Sequence, residues 1–289
     1  MSSERAVVVG ASHAGVQLVT SLRQEGWSGE IVLVGDESAL PYQRPPLSKA
    51  YLAGKCSLKE LAIRSEDFYV KRDVERVTAS VQEIDRSAGE LVLGTGDRLA
   101  YDALALCTGA HPRRLRAEGA GLDGVHYLRR SSDVERIRED ATPAGRAVIV
   151  GGGYIGLETA ASLRALGLDV TVLEAADRVL KRVTAPEVSA FFTRIHQEEG
   201  VDVRTNASVE ALVGDTRLRE VVLASGESVR ADFVIVGIGI EPNTGLAAAA
   251  GLAVDNGILI DAQARTSDPT IVAAGDCTSQ DIPRYGRRI

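Results

Sequence analysis

Two short turns carry the residue types needed to hold a nucleotide diphosphate. The first reads Gly10-Ala11-Ser12-His13-Ala14-Gly15, and the second Gly151-Gly152-Gly153-Tyr154-Ile155-Gly156. In such a turn the first glycine permits a tight reversal and the middle one lets backbone approach a pyrophosphate. The third lets a helix pack close to a strand. The N–H groups opening the helix, together with its dipole, then hold the negative phosphates. A carboxylate about 20 residues further on meets the ribose hydroxyls. Asp36-Glu37 follow the first turn and Glu174 the second. The first copy departs at Ser12, which stands where the second has Gly153. Glu174 favours NADH, because a carboxylate repels a 2′-phosphate, where an NADPH site would offer arginine. Arg178 and Arg182 lie downstream of it.

The elements that must position these turns surround them in the same order twice. Ala6-Val7-Val8-Val9 and Ala147-Val148-Ile149-Val150 are apolar strand runs ending at the first glycines. Each turn opens a helix of small residues containing Ser-Leu-Arg, at 21–23 and 162–164, which ends near Gly26 or Gly167. Second apolar strands follow at Ile31-Val32-Leu33-Val34 and Val170-Thr171-Val172-Leu173. Strand, glycine turn, helix, strand and acid in register predict two Rossmann-like α/β units with parallel sheets, ligands lying at the carboxyl ends of the strands. A late run, Ala231–Gly237, is expected to return the chain from the second unit.

Bulk properties bound the rest. A length of 289 residues suits two α/β units, and 45% hydrophobic with 25% charged residues is an ordinary globular composition. The net charge of −7 argues against general nucleic-acid binding. Met1-Ser2-Ser3-Glu4-Arg5 shows no signal-peptide pattern. No apolar run reaches the roughly 18 to 20 residues that span a bilayer. A soluble cytoplasmic protein that binds neither nucleic acid nor membrane is the expectation. Cys56, Cys107 and Cys277 are far apart and read as small apolar core residues; His13, His111, His126 and His196 show no metal-ligand spacing, so no metal site is expected.

Further segments carry a family resemblance. These are Gly35-Asp36-Glu37, Arg44-Pro45-Pro46-Leu47-Ser48-Lys49-Ala50-Tyr51-Leu52, Leu106-Cys107-Thr108-Gly109-Ala110, the run Gly151 to Glu158, Gly237 to Asn243, and Ala273-Ala274-Gly275-Asp276-Cys277. Together the chain resembles the FAD-dependent ferredoxin reductases of oxygenase systems, in the pyridine nucleotide-disulfide oxidoreductase superfamily. The resemblance implies an FAD-binding domain of residues 1–110 and 240–289, with an NADH-binding domain, 111–239, inserted in it. It implies a family C-terminal domain of roughly one hundred residues, absent before the chain ends at Ile289.

What the resemblance implies for the sites is residue-specific. Gly10, Ser12, His13, Ala14 and Gly15 would meet the FAD pyrophosphate, and Asp36 and Glu37 the adenosine ribose. Arg44 and Lys49 would lie along the flavin, Val81 and Arg129 would complete the adenine and diphosphate surroundings, and Asp276 would hydrogen-bond the ribityl chain, with Pro46, Thr108, Gly109 and Gly275 also binding the cofactor. Gly151, Gly153, Tyr154, Ile155, Gly156, Glu174 and Gly239 would receive NADH. The catalytic set would be Lys49, Glu158 and Tyr154: a cation near the flavin, the glutamate that pairs with it, and a tyrosine covering the nicotinamide side. A solvated surface lysine and a first-turn glutamate favoured by the helix dipole are the ordinary fates of the first two.

The segment Leu40 to Pro46 holds no cysteine, where related disulfide reductases and peroxidases carry theirs. With no thiol there to relay electrons, single-electron transfer to a metal centre fits best; the resemblance implies hydride from NADH to FAD, then single electrons to a [2Fe-2S] ferredoxin feeding a monooxygenase or ring-hydroxylating dioxygenase. Alternatives are a monodehydroascorbate or rubredoxin reductase, or a non-catalytic NADH-binding fragment. The groups Arg113-Arg114-Arg116 and Arg284-Arg287-Arg288 could attract an acidic partner, though solvated surface charge is the commoner role.

Overall fold

The computed structural model describes residues 4–288. Met1 to Ser3, part of the segment read for a signal peptide, and Ile289 lie outside the described residues. The chain divides into two compact units. One holds the chain up to Gln43, Leu61–His111 and the chain from Glu241 onward; the other holds Arg44–Glu60 and Pro112–Ile240.

The first unit is built on a five-stranded sheet in the order Ile271–Ala273, Ala103–Leu106, Arg5–Val9, Glu30–Gly35, Val74–Thr78. Every pairing in it is parallel. Runs such as Val7-Val8-Val9 and Ile31-Val32-Leu33-Val34 are buried throughout rather than alternately, as parallel strands covered on both faces must be. Helix His13–Gln24 covers one face and buries Gly15, Val16, Val19 and Thr20. On the other face Ile84, Leu91 and Leu93, from an antiparallel three-stranded sheet (Val81–Asp85, Glu90–Leu93, Arg98–Ala100), join a core with Val7, Val32 and Leu104.

The second unit repeats this plan. Its sheet runs Asp202–Arg204, Asp169–Leu173, Arg146–Val150, Phe233–Val236, Val125–Tyr127, again wholly parallel. Helix Tyr154–Ala165 buries Gly156, Leu157, Thr159, Ala160 and Leu163. An antiparallel trio, Val209–Gly214, Leu218–Leu223 and Ser228–Arg230, packs on the opposite side through Leu212, Val221 and Val229. In both sheets the strand leading into the glycine turn is central. The strand that starts at Phe233, within the run expected to return the chain from this unit, lies beside it.

Segment 44–60 departs from the division expected from sequence, which kept it with residues 1–110. It packs with the second unit because its contacts lie there. Ser162 Oγ donates to the Ser48 carbonyl at 2.8 Å, and Tyr51 Oη donates to Glu135 at 3.2 Å. The Arg138 guanidinium lies 4.5 Å from the Tyr51 ring centroid and donates to the Tyr51 and Leu52 carbonyls. Among the described residues no helix is long and apolar enough to cross a membrane.

Candidate nucleotide and electron-transfer sites

The two glycine turns share one geometry. Gly10 N–H donates to Val34 O at 2.8 Å, and Gly151 N–H to Leu173 O at 2.8 Å. Gly10 has φ +116° and Gly151 φ +111°, left-handed backbone that glycine alone adopts easily. A Cβ on Gly10 would lie 2.0 Å from the Cys107 carbonyl oxygen; on Gly151 it would lie 2.4 Å from that of Gly237. The third glycines are equally constrained: a Cβ on Gly15 would sit 2.0 Å from Gly10 O, and on Gly156 2.1 Å from Gly151 O. The middle position differs, because a Cβ on Gly153 would meet nothing within 4 Å. In the first copy the same position is held by Ser12, which is partly buried. In the second copy the open space over Gly153 fits a ligand brought against the backbone.

In the first unit the expected FAD residues gather at the carboxyl edge of the sheet. Gly10 to Gly15 follow Arg5–Val9, Asp36 follows Glu30–Gly35, and Thr108-Gly109 follow Ala103–Leu106. Gly275-Asp276 follow Ile271–Ala273, and Val81 comes just after Val74–Thr78. A Cβ on Gly275 would lie 3.0 Å from the Ala14 Cβ, which brings that turn against the helix start. His13 and Asp36 are exposed. Glu37 accepts a 2.6 Å hydrogen bond from Tyr42 Oη. Asn243, not singled out as a site residue, organises this edge. It donates from Nδ2 to Thr108 O at 2.7 Å, while its carbonyl accepts from Thr108 Oγ1 at 2.9 Å. Its neighbourhood in Glu241-Pro242-Asn243 was the one signal available.

Cys107 and Cys277 are buried free thiols at the same edge, while Cys56 is partly exposed. Burial pushes the Cys107 thiol up to about 12, so it stays protonated and unreactive. The core reading holds for Cys107 and Cys277, and fits Cys56 less well.

In the second unit the acid is held against the turn. Glu174 accepts from Gly152 N–H at 2.7 Å through Oε2 and from Ala176 N–H at 2.8 Å through Oε1. Leu180 N–H donates to Gly152 O at 2.9 Å, so the loop after the acid is also tied to the turn. Arg178 donates to the Thr184 carbonyl, Ser189 Oγ and the Lys181 carbonyl, and so serves the loop itself. Arg182 is exposed, with Nη2 3.6 Å from where a Gly239 Cβ would stand. Gly239 has φ +115° and accepts from Arg113 N–H at 2.9 Å. Tyr154 and Ile155, opening the helix, are 49% and 45% exposed.

Four residues expected along FAD also belong to this second unit: Arg44, Pro46, Lys49 and Arg129. Arg44 Nη1 donates to the Arg129 carbonyl at 2.7 Å. Lys49 Nζ lies 2.7 Å from Glu158 Oε2, and Ser48 Oγ donates to that same oxygen at 2.6 Å. Ser48 escaped the sequence reading although it adjoins Lys49; nothing in the Pro45–Lys49 run points to a partner more than one hundred residues away.

Parallel sheets with paired glycine cradles define a two-nucleotide α/β protein. The chain belongs to the pyridine nucleotide-disulphide oxidoreductase family, which residues 4–287 match. It is 43% identical to putidaredoxin reductase of Pseudomonas putida, over 99% of this chain and 69% of that protein. It is 44% identical to rhodocoxin reductase of Rhodococcus erythropolis, over 96% and 65% respectively. The fold superposes with a TM-score of 0.95 on the covalent putidaredoxin reductase–putidaredoxin complex, covering all of this chain and 71% of that one at 42% identity. The chain thus spans roughly two thirds of the length of these relatives, 69% and 65% respectively.

Proposed function

We propose that this chain is the nucleotide-binding part of an FAD-dependent NADH:ferredoxin oxidoreductase that supplies electrons to an oxygenase. The observation that carries this reading is the doubled cradle, one backbone geometry built twice on matched parallel sheets. FAD is assigned to Gly10–Gly15 with Asp36, Val81, Thr108, Gly109, Gly275 and Asp276, and NADH to Gly151–Gly156 with Glu174. When bound, FAD would supply the capacity to accept a hydride from NADH and to release electrons singly. The protein's part is to hold each pyrophosphate on helix N–H groups and to orient each ribose through a fixed carboxylate. Lys49 supplies positive charge where reduction adds negative charge, with Glu158 setting its position. A cytoplasmic location and a [2Fe-2S] ferredoxin partner belong to the same proposal.

Anaerobic NADH titration of the FAD-loaded protein should bleach the flavin's visible absorbance. An unchanged band would sink the reading. Two relatives are rubredoxin-NAD(+) reductases, 41% and 38% identical to this chain. Rubredoxin is therefore the second acceptor to assay, and the faster-reduced protein decides between them.

Two substitutions probe the nucleotide assignment. Gly153→Ala should leave thermal stability nearly unchanged, since its Cβ enters open space. It should weaken NADH binding by about tenfold or more, because the methyl group occupies the pyrophosphate approach. Equal NADH affinity in isothermal titration would show that a side chain is tolerated here, as Ser12 is in the first turn, and that Gly153 does not set the pyrophosphate approach. Glu174→Ala strips the acceptor from Gly152 N–H and Ala176 N–H as well as from the ribose. NADH preference over NADPH should fall roughly tenfold or more, measured as the ratio of the two kcat/KM values.

A further inference from the structure

We propose that Ser48 is a positioning residue that holds the Glu158 carboxylate in reach of Lys49. The inference rests on the functional reading of the Lys49–Glu158 pair given above. That pair alone is poorly fixed: the two side chains are 48% and 30% exposed, and exposed pairs of long side chains gain little because water competes and both chains roam. Ser48 supplies the missing constraint. It is 3% exposed and ends the one-turn helix Pro45–Ser48, whose two prolines fix backbone φ. Its carbonyl accepts from Ser162 Oγ at 2.8 Å and its hydroxyl donates to Glu158 Oε2 at 2.6 Å. Glu158 and Ser162 stand one turn apart on the same face of helix Tyr154–Ala165, so Ser48 is gripped at two points by one rigid element. Lys49 Nζ completes the arrangement with 2.7 Å to the same Glu158 oxygen and 3.0 Å to the Pro45 carbonyl. One carboxylate oxygen is thereby fixed by a buried donor, and the ammonium is held between two acceptors.

The test compares Ser48→Ala, Glu158→Gln and the double variant, each loaded with FAD, in anaerobic stopped-flow reduction by NADH. The cofactor-free proteins are compared for the rate at which an amine-reactive ester acylates Lys49, read by mass spectrometry. Ser48→Ala should slow flavin reduction roughly tenfold and speed Lys49 acylation by a similar factor, as expected for loss of a hydrogen bond to a charged group. NADH affinity should be unchanged. The double variant should be no slower than Glu158→Gln alone, since both changes act through one carboxylate. Additive slowing, or a lower melting temperature with Lys49 acylation unaltered, would show a merely structural tie and overturn the proposal. If Glu158→Gln slows reduction and Ser48→Ala does not, Ser48 alone loses its role. If Glu158→Gln matches the unaltered protein in both measurements, the functional reading of the pair and the role of Ser48 fall together. Should Ser48→Ala fail to fold, Ser48→Cys, of similar shape but a weak donor, is read in the same way.

Discussion

Alanine at Gly10 is expected to destabilise the first unit by about 2–5 kcal/mol and to abolish FAD retention. Two penalties combine. Left-handed backbone costs an L-residue about 1–2 kcal/mol, and Gly10 sits at φ +116°. The new methyl carbon would also stand 2.0 Å from the Cys107 carbonyl oxygen and 2.5 Å from its carbon, both main-chain atoms. Neither can rotate aside, so the strand Ala103–Leu106 and the turn must separate; forced overpacking of this kind costs about 1–3 kcal/mol. A whole domain is stable by only about 5–15 kcal/mol, so the loss takes a large share. Gly26→Ala isolates the two penalties. Gly26 has φ +91°, yet a Cβ there meets nothing within 4 Å, so only the conformational part, about 1–2 kcal/mol, should appear. Urea denaturation followed by circular dichroism gives both values. Equal losses at Gly10 and Gly26 would mean that close backbone approach does not shape the turn.

That contrast also explains which features are legible in the amino-acid sequence alone. Gly10, Gly15, Gly151 and Gly156 meet backbone demands that one residue type satisfies, so their spacing carries the turn by itself. The parallel sheets follow from unbroken apolar runs such as Val7-Val8-Val9. Segment 44–60 resisted the same treatment: its place depends on Ser48–Ser162, Ser48–Glu158 and Tyr51–Glu135, single contacts between distant positions that leave no periodic trace. Arg178 shows the same limit in reverse. As a residue type it could serve a 2′-phosphate, yet three of its five donors go to Thr184, Ser189 and Lys181 and tie it to its own loop. Glu174 was legible as an acid at the right distance. That both its oxygens are held by backbone N–H groups was not, because a side-chain rotamer is set by the packed loop rather than by spacing.

Lys49→Met should slow NADH-driven flavin reduction by roughly two orders of magnitude, the scale seen when a preorganised electrostatic donor is removed. Methionine keeps a flexible apolar stem and removes the charge, and exposed ion pairs contribute about 0–1 kcal/mol to stability, so the fold should persist. The sign of the accompanying redox effect is fixed. A cation favours the more negative, reduced cofactor, so its loss must make reduction harder and lower the midpoint potential. For a two-electron couple about 30 mV corresponds to a tenfold change in equilibrium, and a fall of that order is the expected reading by dye equilibration. Lys49→Arg, which keeps the charge, should hold the potential near its original value. Removal of the cation also leaves Glu158 bonded to the neutral Ser48 hydroxyl, an uncompensated carboxylate whose negative charge opposes reduction further. Lys49→Met combined with Glu158→Gln should therefore recover part of the lost potential, a reversal that a purely steric role for Lys49 does not produce. An unshifted potential in Lys49→Met, or no recovery in the double variant, would remove Lys49 and Glu158 from the electron path.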